Sequence, residues 1–356
     1  MFYKENELAL FTDEKPIPKN KNGTCLPKRQ RRQEGKTTEK LTRLDIDEEL
    51  RKKILPHCRL KKGEIWKDPE GKHKVGVLDA TSFTDTQKLF GKEKSQLVIN
   101  DPPYNVVVGN ANTQNLSKID VNEYIEFSKK WVSNVLSILD ENASLYIWLG
   151  ADQNDGFQPL PEFMIMMREF IELKTRSFIT MRNQRGYGTQ KNWMAVRQEL
   201  LYYIKGNPPF TVIYTDIPKI LRGYYKEVNG KVTENFERSK SQFIRPGNVW
   251  VDIQQVFYRM EENVPGAYAQ KPLKSISRII EASSQKNSLV ADFFSHSGVT
   301  LLASEQLGRR CYTMELDPVF AELSIRRLER FRKTSKTGWQ WINPFPEVKD
   351  FFKSKP

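Results

Sequence analysis

Apolar positions along this chain fall into two alternating spacings, and the alternation predicts a layered fold. Short dense runs read as buried strands: Val75-Gly76-Val77-Leu78-Asp79, Leu97 to Asn100, Leu145 to Leu149, Ser177 to Arg182, Glu199 to Lys205, Ser288 to Phe294 and Cys311 to Glu315. Between them lie stretches whose apolar residues recur three and four apart. The clearest is Glu123 to Leu139, where Tyr124, Ile125, Trp131, Val132, Val135, Leu136 and Leu139 share one stripe. Similar spacing predicts helices over Phe83 to Phe90, Phe163 to Ile171, Ser275 to Ala282, Leu301 to Leu307 and Pro318 to Leu328, and an earlier one over Leu41 to Leu55. Met164, Met166 and Met167 read as core filler within that pattern. Strands alternating with helices predict an α/β fold with a mostly parallel sheet covered on both faces.

Two strand ends carry unusual chemistry. Leu97-Val98-Ile99-Asn100 runs straight into Asp101-Pro102-Pro103-Tyr104-Asn105. Proline fixes φ and has no N–H, so the ladder must stop there and the turn is stiff. A carboxylate, a backbone carbonyl and an aromatic face are thereby held at a strand's C-terminal edge, where open α/β sheets bind ligands. A planar base with an exocyclic amine needs such a set: acceptors for its N–H groups and a ring to stack on. By itself the tetrapeptide fits a plain Asp-Pro turn equally well. The second end is Asp292-Phe293-Phe294-Ser295-His296-Ser297-Gly298-Val299-Thr300, followed by a helix, Gly308 as its C-cap, and a strand ending in Glu315. Strand, small-residue turn, helix and acid-ended strand form the first half of a nucleotide-binding unit. The small residues admit a ligand close to the backbone, and the distal acid suits ribose hydroxyls.

Composition narrows the partners. The net charge is +13, which favours a polyanion. Between Lys15 and Lys62 there are 16 Lys and Arg against 6 Asp and Glu, a net of +10, and Lys28-Arg29-Gln30-Arg31-Arg32 sits among loop-forming residues. This stretch reads as a phosphate-gripping arm or as a solvated charged face. No apolar run is long enough to span a membrane. The three cysteines are far apart and only three histidines accompany them, so neither a disulfide framework nor a metal site is expected. The expected compartment is the cytoplasm, close to the nucleoid.

From residue 75 to 332 the chain resembles S-adenosylmethionine-dependent amino-methyltransferases that act on DNA. The Asp-Pro-Pro-Tyr turn precedes the cofactor turn, which resembles the permuted beta group of the type II restriction–modification kind, and Asp at the first position points to adenine N6. The resemblance implies a Rossmann-like methyltransferase fold, with Asp101, Pro102, Pro103 and Tyr104 at the chemistry. It implies a cofactor site of Asp292, Phe294, Ser295, His296, Ser297, Gly298, Thr300 and Glu315. Asp79 falls where the family places an acid near the cofactor's adenine. Lys271, in Gln270-Lys271-Pro272-Leu273, falls in the element that packs around the methionine end. Arg182 to Gly188, with Arg197 to Tyr203 after it, resembles the family's segment after the sixth strand. No metal is implied. The turn departs from the usual Asp-Pro-Phe-x-Gly-Ser-Gly-x-Thr at His296, which stands where the first glycine belongs. If that position has φ > 0, the histidine is strained.

The implied organisation is a basic extension over 1–74, a catalytic half over 75–205, a target-recognition region over 206–265, a cofactor half over 266–335 and a tail over 336–356. The middle region mixes Tyr214, Arg222, Tyr224, Tyr225, Lys226, Lys231, Arg238, Lys240 and Arg245 with Gly and Asn, a composition that suits phosphates and bases, though an insertion covering the sheet fits it too. The expected partner is double-stranded DNA, with a cognate restriction endonuclease or a second methyltransferase subunit left open. Other readings are N4-cytosine methylation, methylation of RNA or of a glutamine side chain, and a non-catalytic nucleic-acid-binding subunit of the same fold.

Overall fold

The computed structural model describes residues 42–103, 121–150, 159–187, 193, 195–218, 224–235 and 241–352. Its strands in chain order are β1 (Ile65–Lys67), β2 (His73–Val77), β3 (Ser95–Asn100), β4 (Leu139–Leu149), β5 (Lys174–Tyr187) and β6 (Ala195–Lys205). They continue with β7 (Tyr224–Val228), β8 (Lys231–Asn235), β9 (Val249–Trp250), β10 (Leu289–Asp292) and β11 (Arg310–Glu315). The helices are α1 (Glu48–Ile54), α2 (Phe83–Phe90), α3 (Val121–Ile138), α4 (Pro159–Met166), α5 (Leu273–Ser283), α6 (Val299–Gln306) and α7 (Pro318–Thr334).

The main sheet has the order β1-β2-β11-β10-β3-β4-β6-β5-β9, and β7 pairs only with β8. From β2 to β4 the pairing is parallel; β1, β6 and β5 join antiparallel to their inner neighbours. Side chains alternate between the faces. Val98, Leu145, Ile147 and Ala291 pack with α2, α3 and α4, while Leu97, Ile99, Tyr146, Trp148 and Val290 pack with α5, α6 and α7. The Rossmann-like layering is therefore present. The crossover from β3 to β4 uses the first face and that from β10 to β11 the second, so the chain switches direction between β3 and β10. A crevice at the carboxyl ends of these two strands is the expected ligand site.

Three local readings change. The predicted 41–55 helix begins only at Glu48, because Asp47 caps it by accepting the Leu50 N–H at 3.2 Å, and residues 43–46 form a turn. The helix expected over Phe163 to Ile171 instead runs Pro159–Met166; Met166 and Met167 are buried and Met164 is exposed. The sheet is mostly parallel, as expected, with an antiparallel pair formed by β5 and β6 towards one side. Within 206–265, Val249 and Trp250 extend the main sheet beside β5, and Trp250, Ile253 and Val264 enter the core.

The basic stretch also divides. Leu44, Leu50 and Ile54 are buried against Val319, Phe320 and Leu323 of α7 together with Trp339, Phe345 and Phe351 from the C-terminal segment. Lys28 to Arg32 lie outside the described residues, as do Arg222, Arg238 and Lys240. Among the described residues no helix is long and apolar enough to cross a membrane, and no group of His, Cys, Asp and Glu could hold a metal ion.

Candidate active site

Four adjacent parallel strands each end in a carboxylate at one edge of the sheet. Asp79 follows β2, Glu315 closes β11, Asp292 closes β10 and Asp101 follows β3. The cleft at the switch is lined by Ile99, Trp148, Ile276, Phe294 and Val299 on its apolar side. Asp101, Lys271, Asp292, Ser295, His296, Ser297 and Thr300 supply the polar side.

The proline turn begins where Asn100 ends β3. Pro102 is buried and Pro103 half-buried, and the two rings stop the ladder as the sequence requires. Lys271, 5 % exposed, brings its Nζ to 2.6 Å from Asp101 Oδ2 and lies 5.4 Å above the Trp148 ring. The lysine read from the sequence as a cofactor contact is thus also the ion partner of the turn's acid. Tyr104 and Asn105 lie outside the described residues.

The second turn is braced along its whole length. The N–H groups of Phe293, Phe294, Ser295 and His296 donate to Asn100 Oδ1 (3.0 Å), Asp292 Oδ1 (2.9 Å), the Met314 carbonyl (2.9 Å) and Glu315 Oε2 (2.7 Å). Gly298 has φ +71°, and a Cβ there would stand 2.8 Å from Ser324 Cβ, so both conformation and the close approach of α7 require glycine. His296 has φ +44°, the strained geometry its replacement of a glycine implies. Its ring packs on Phe320 with centroids 4.6 Å apart, and burial pushes its pKa down to about 4, so it sits in the turn as a neutral aromatic.

Two of the strand-end acids hold their protons more tightly than usual. Burial pushes Asp292 up to about 7; its hydrogen bonds come from Thr300 and the Phe294 N–H, both neutral, and the Asp101 charge opposes its ionisation further. Burial and the neighbouring Asp317 push Glu315 up to about 7, against the pull of the Asp317 and His296 amides. A buried acid with only neutral donors and a second acid beside it favours a cationic ligand. Asp79 accepts from the Thr81 N–H (2.8 Å) and hydroxyl (2.7 Å), which fixes it at the far end of the row.

Three residues escaped the reading of the sequence. Asn100 and Trp148 fell within predicted strands, and Arg327 within the last predicted helix, without being singled out. Arg327 is fully buried and donates to the carbonyls of Ser297 (2.9 Å), Glu262 (3.1 Å) and Thr337 (2.7 Å), which locks the turn to two distant loops. Burial lowers its pKa to about 10. Its only forewarning was its place on a helix face that also carries Phe320, Leu323 and Phe331.

A strand-end acid turn facing a braced glycine turn across a topological switch is the arrangement in which open α/β sheets bind nucleotide-like ligands. The DNA methylase family N6_N4_Mtase matches residues 95–326, and the chain belongs to that family. It is 25% identical over 233 residues to the type II methyltransferase M.HpaI of Haemophilus parainfluenzae, covering 65% of this chain and 68% of that one. It is 25% identical over 263 residues to the DNA adenine methyltransferase YhdJ of Escherichia coli (strain K12), covering 71% and 82% respectively. Among solved structures, the PvuII DNA methyltransferase (cytosine-N4-specific) matches with a TM-score of 0.53 at 15% identity, covering 82% of this chain and 95% of that one. That likeness is one of fold.

Proposed function

We propose that this protein transfers a methyl group from S-adenosylmethionine to the N6 amine of an adenine flipped out of double-stranded DNA, as the modification enzyme of a type II restriction–modification pair. The observation that carries the proposal is the Lys271–Asp101 turn facing the Asp292–Thr300 turn across one crevice. Membership of the family supports a DNA substrate. Asp at the head of the proline turn and the relationship to YhdJ favour adenine. N4-cytosine remains the second reading, because the fold is shared with a cytosine-N4 enzyme.

The residues fit the cofactor. Asp292, buried with neutral donors only, suits its cationic portion, Glu315 and Asp79 suit ribose and adenine, and Phe294 and Trp148 offer apolar walls. When bound, S-adenosylmethionine supplies an electrophilic methyl on a sulfonium. The chain's own work is alignment. Asp101 and the Pro102 carbonyl accept the amine's two hydrogens and turn the nitrogen lone pair out of conjugation with the ring. Lys271 holds Asp101 Oδ2 and fixes the plane of the carboxylate. Tyr104 is assigned from the sequence to stack on the flipped base.

The test is methyl transfer to unmethylated genomic DNA, followed by nucleoside digestion and mass spectrometry. N6-methyladenine is the expected product, and Asp101→Ala should lose about 100-fold or more in turnover while still binding S-adenosylhomocysteine. N4-methylcytosine would overturn the adenine assignment. Cofactor binding without any transfer would mark a non-catalytic subunit.

A further inference from the structure

We propose that Asn100 is a positioning residue that ties the cofactor turn to the catalytic turn, so that filling one site steadies the other; this rests on the roles just assigned to Asp101 and the Asp292–Thr300 turn. The ladder between β3 and β10 pairs Leu97 with Val290 and Val98 with Ala291, and beyond those pairs the strands part to open the crevice. Two residues further on, the Asn100 side chain spans the gap: its Oδ1 accepts the Phe293 N–H at 3.0 Å.

The placement gives this bond its leverage. Asn100 immediately precedes Asp101, and Phe293 immediately follows Asp292, so each partner is one peptide from a site carboxylate. Ile99 and Asp101 on one side, and Asp292 and Phe294 on the other, all line the cleft. The bond is fully buried, where water does not compete for either group, and a shift of one turn is passed directly to the other. Retaining a carboxamide here also has a cost. Asn100 Nδ2 is buried with no hydrogen-bond partner among the described residues, a penalty that an apolar residue of the same size would avoid. The acceptor on the other end of the amide explains why the polar residue is kept.

Two variants of the full-length protein separate this role from packing. Asn100→Leu keeps the γ-branched shape and the number of heavy atoms and removes the acceptor; Asn100→Asp keeps an oxygen at the Oδ1 position. Calorimetry with S-adenosylhomocysteine, with and without sheared unmethylated genomic DNA, measures how strongly the two sites are coupled, and transfer to the same DNA gives kcat and KM. The wild type should show DNA-induced tightening of about fivefold or more. In Asn100→Leu that tightening should vanish and kcat should fall on the order of 10- to 100-fold with KM for DNA little changed, while Asn100→Asp recovers most of both. An uncoupled wild type, an Asn100→Leu protein with wild-type coupling and kcat, or an Asn100→Asp protein as defective as Asn100→Leu would each overturn the inference. If Asn100→Leu fails to fold, Asn100→Asp decides alone: near-wild-type coupling supports the role and abolished coupling overturns it. Failure of the underlying assignment looks different, because Asp101→Ala would then remain active whatever Asn100 does.

Discussion

Asp292 illustrates how a single side chain can set ligand preference at a cost in stability. In the unfolded chain its carboxyl titrates at the ordinary value of 3.8, and in the fold it is pushed to about 7. Between those values the folded protein holds a proton that the unfolded chain releases. The resulting stability is complete at low pH and is lost as pH rises through about 7. Asp292→Asn removes the cost, so without cofactor its Tm at pH 8 should exceed that of the wild type by a few degrees, with the difference narrower at pH 5 and closing only towards the unfolded value of 3.8. The same change should weaken S-adenosylhomocysteine binding. Thermal scans at the two pH values are decisive, and a variant no more stable than wild type at pH 8 would show that the acid is not strained. At this scale much of the site was legible. Asp101 and Gly298 announced themselves because proline stiffens the backbone beside one, and glycine readily takes the left-handed conformation the turn needs at the other. The bond from Lys271 to Asp101 spans 170 positions, and that from Asn100 to Phe293 spans 193. No local pattern encodes either, because each depends on which strands become neighbours.

Among the elements, the edge of the sheet opposite the site is pinned by charge. His73 opens β2, Glu305 lies in the last turn of α6, Arg332 in the last turn of α7, and Asp68 follows β1. Glu305 takes His73 Nε2 at 2.8 Å and Arg332 Nε at 2.7 Å, and Arg332 also reaches Asp68 at 2.7 Å. The His73 bond, opposed by burial and reinforced by Arg332, holds the Glu305 carboxyl down at about 2. Its contribution is therefore present above the ordinary value of 4.5 and is lost as pH falls from there towards 2. Glu305→Gln should cost about 3 kcal/mol in denaturant unfolding at pH 7, less at pH 3, and leave cofactor affinity unaltered. An equal loss at both pH values would show that packing, and not charge, accounts for it. Helices and central strands could be read from the sequence because each buries a long apolar run of its own. The two-residue β9 and the short β1 could not, since pairing with a longer neighbour makes them strands. The start of α1 was misread for a related reason: Leu44 is apolar because α7 covers it, not because it is helical.

Across the whole molecule, positive charge is spread unevenly along the chain. Residues 15–41 carry 9 Lys and Arg against 2 Asp and Glu, a net of +7, while the residues after them contribute Leu44, Leu50 and Ile54 to a core. Removing residues 1–41, which takes away that charge and none of these three core residues, should weaken DNA binding and flatten its salt dependence, the log–log slope shrinking by about 0.9 for every phosphate no longer neutralised. The methylated sequence should stay the same. Filter binding across a salt series reads the slope; an unchanged one would make this stretch a solvated surface, and an altered target sequence would make it a reader of bases. Removing residues 1–62 instead should abolish folding. The strand order has one more consequence, and it concerns synthesis. β2 and β3 are made early yet are not neighbours, because β11 and β10, among the last strands made, lie between them. At about 5 to 20 residues per second, a ribosome leaves the two early strands with unpaired inner edges for many seconds before the middle of the sheet arrives. The growing chain can hold no complete site in that interval, and it is then most exposed to edge-to-edge aggregation. Each molecule therefore acquires its methyl-transfer chemistry in one step, when the final strands slot into the centre.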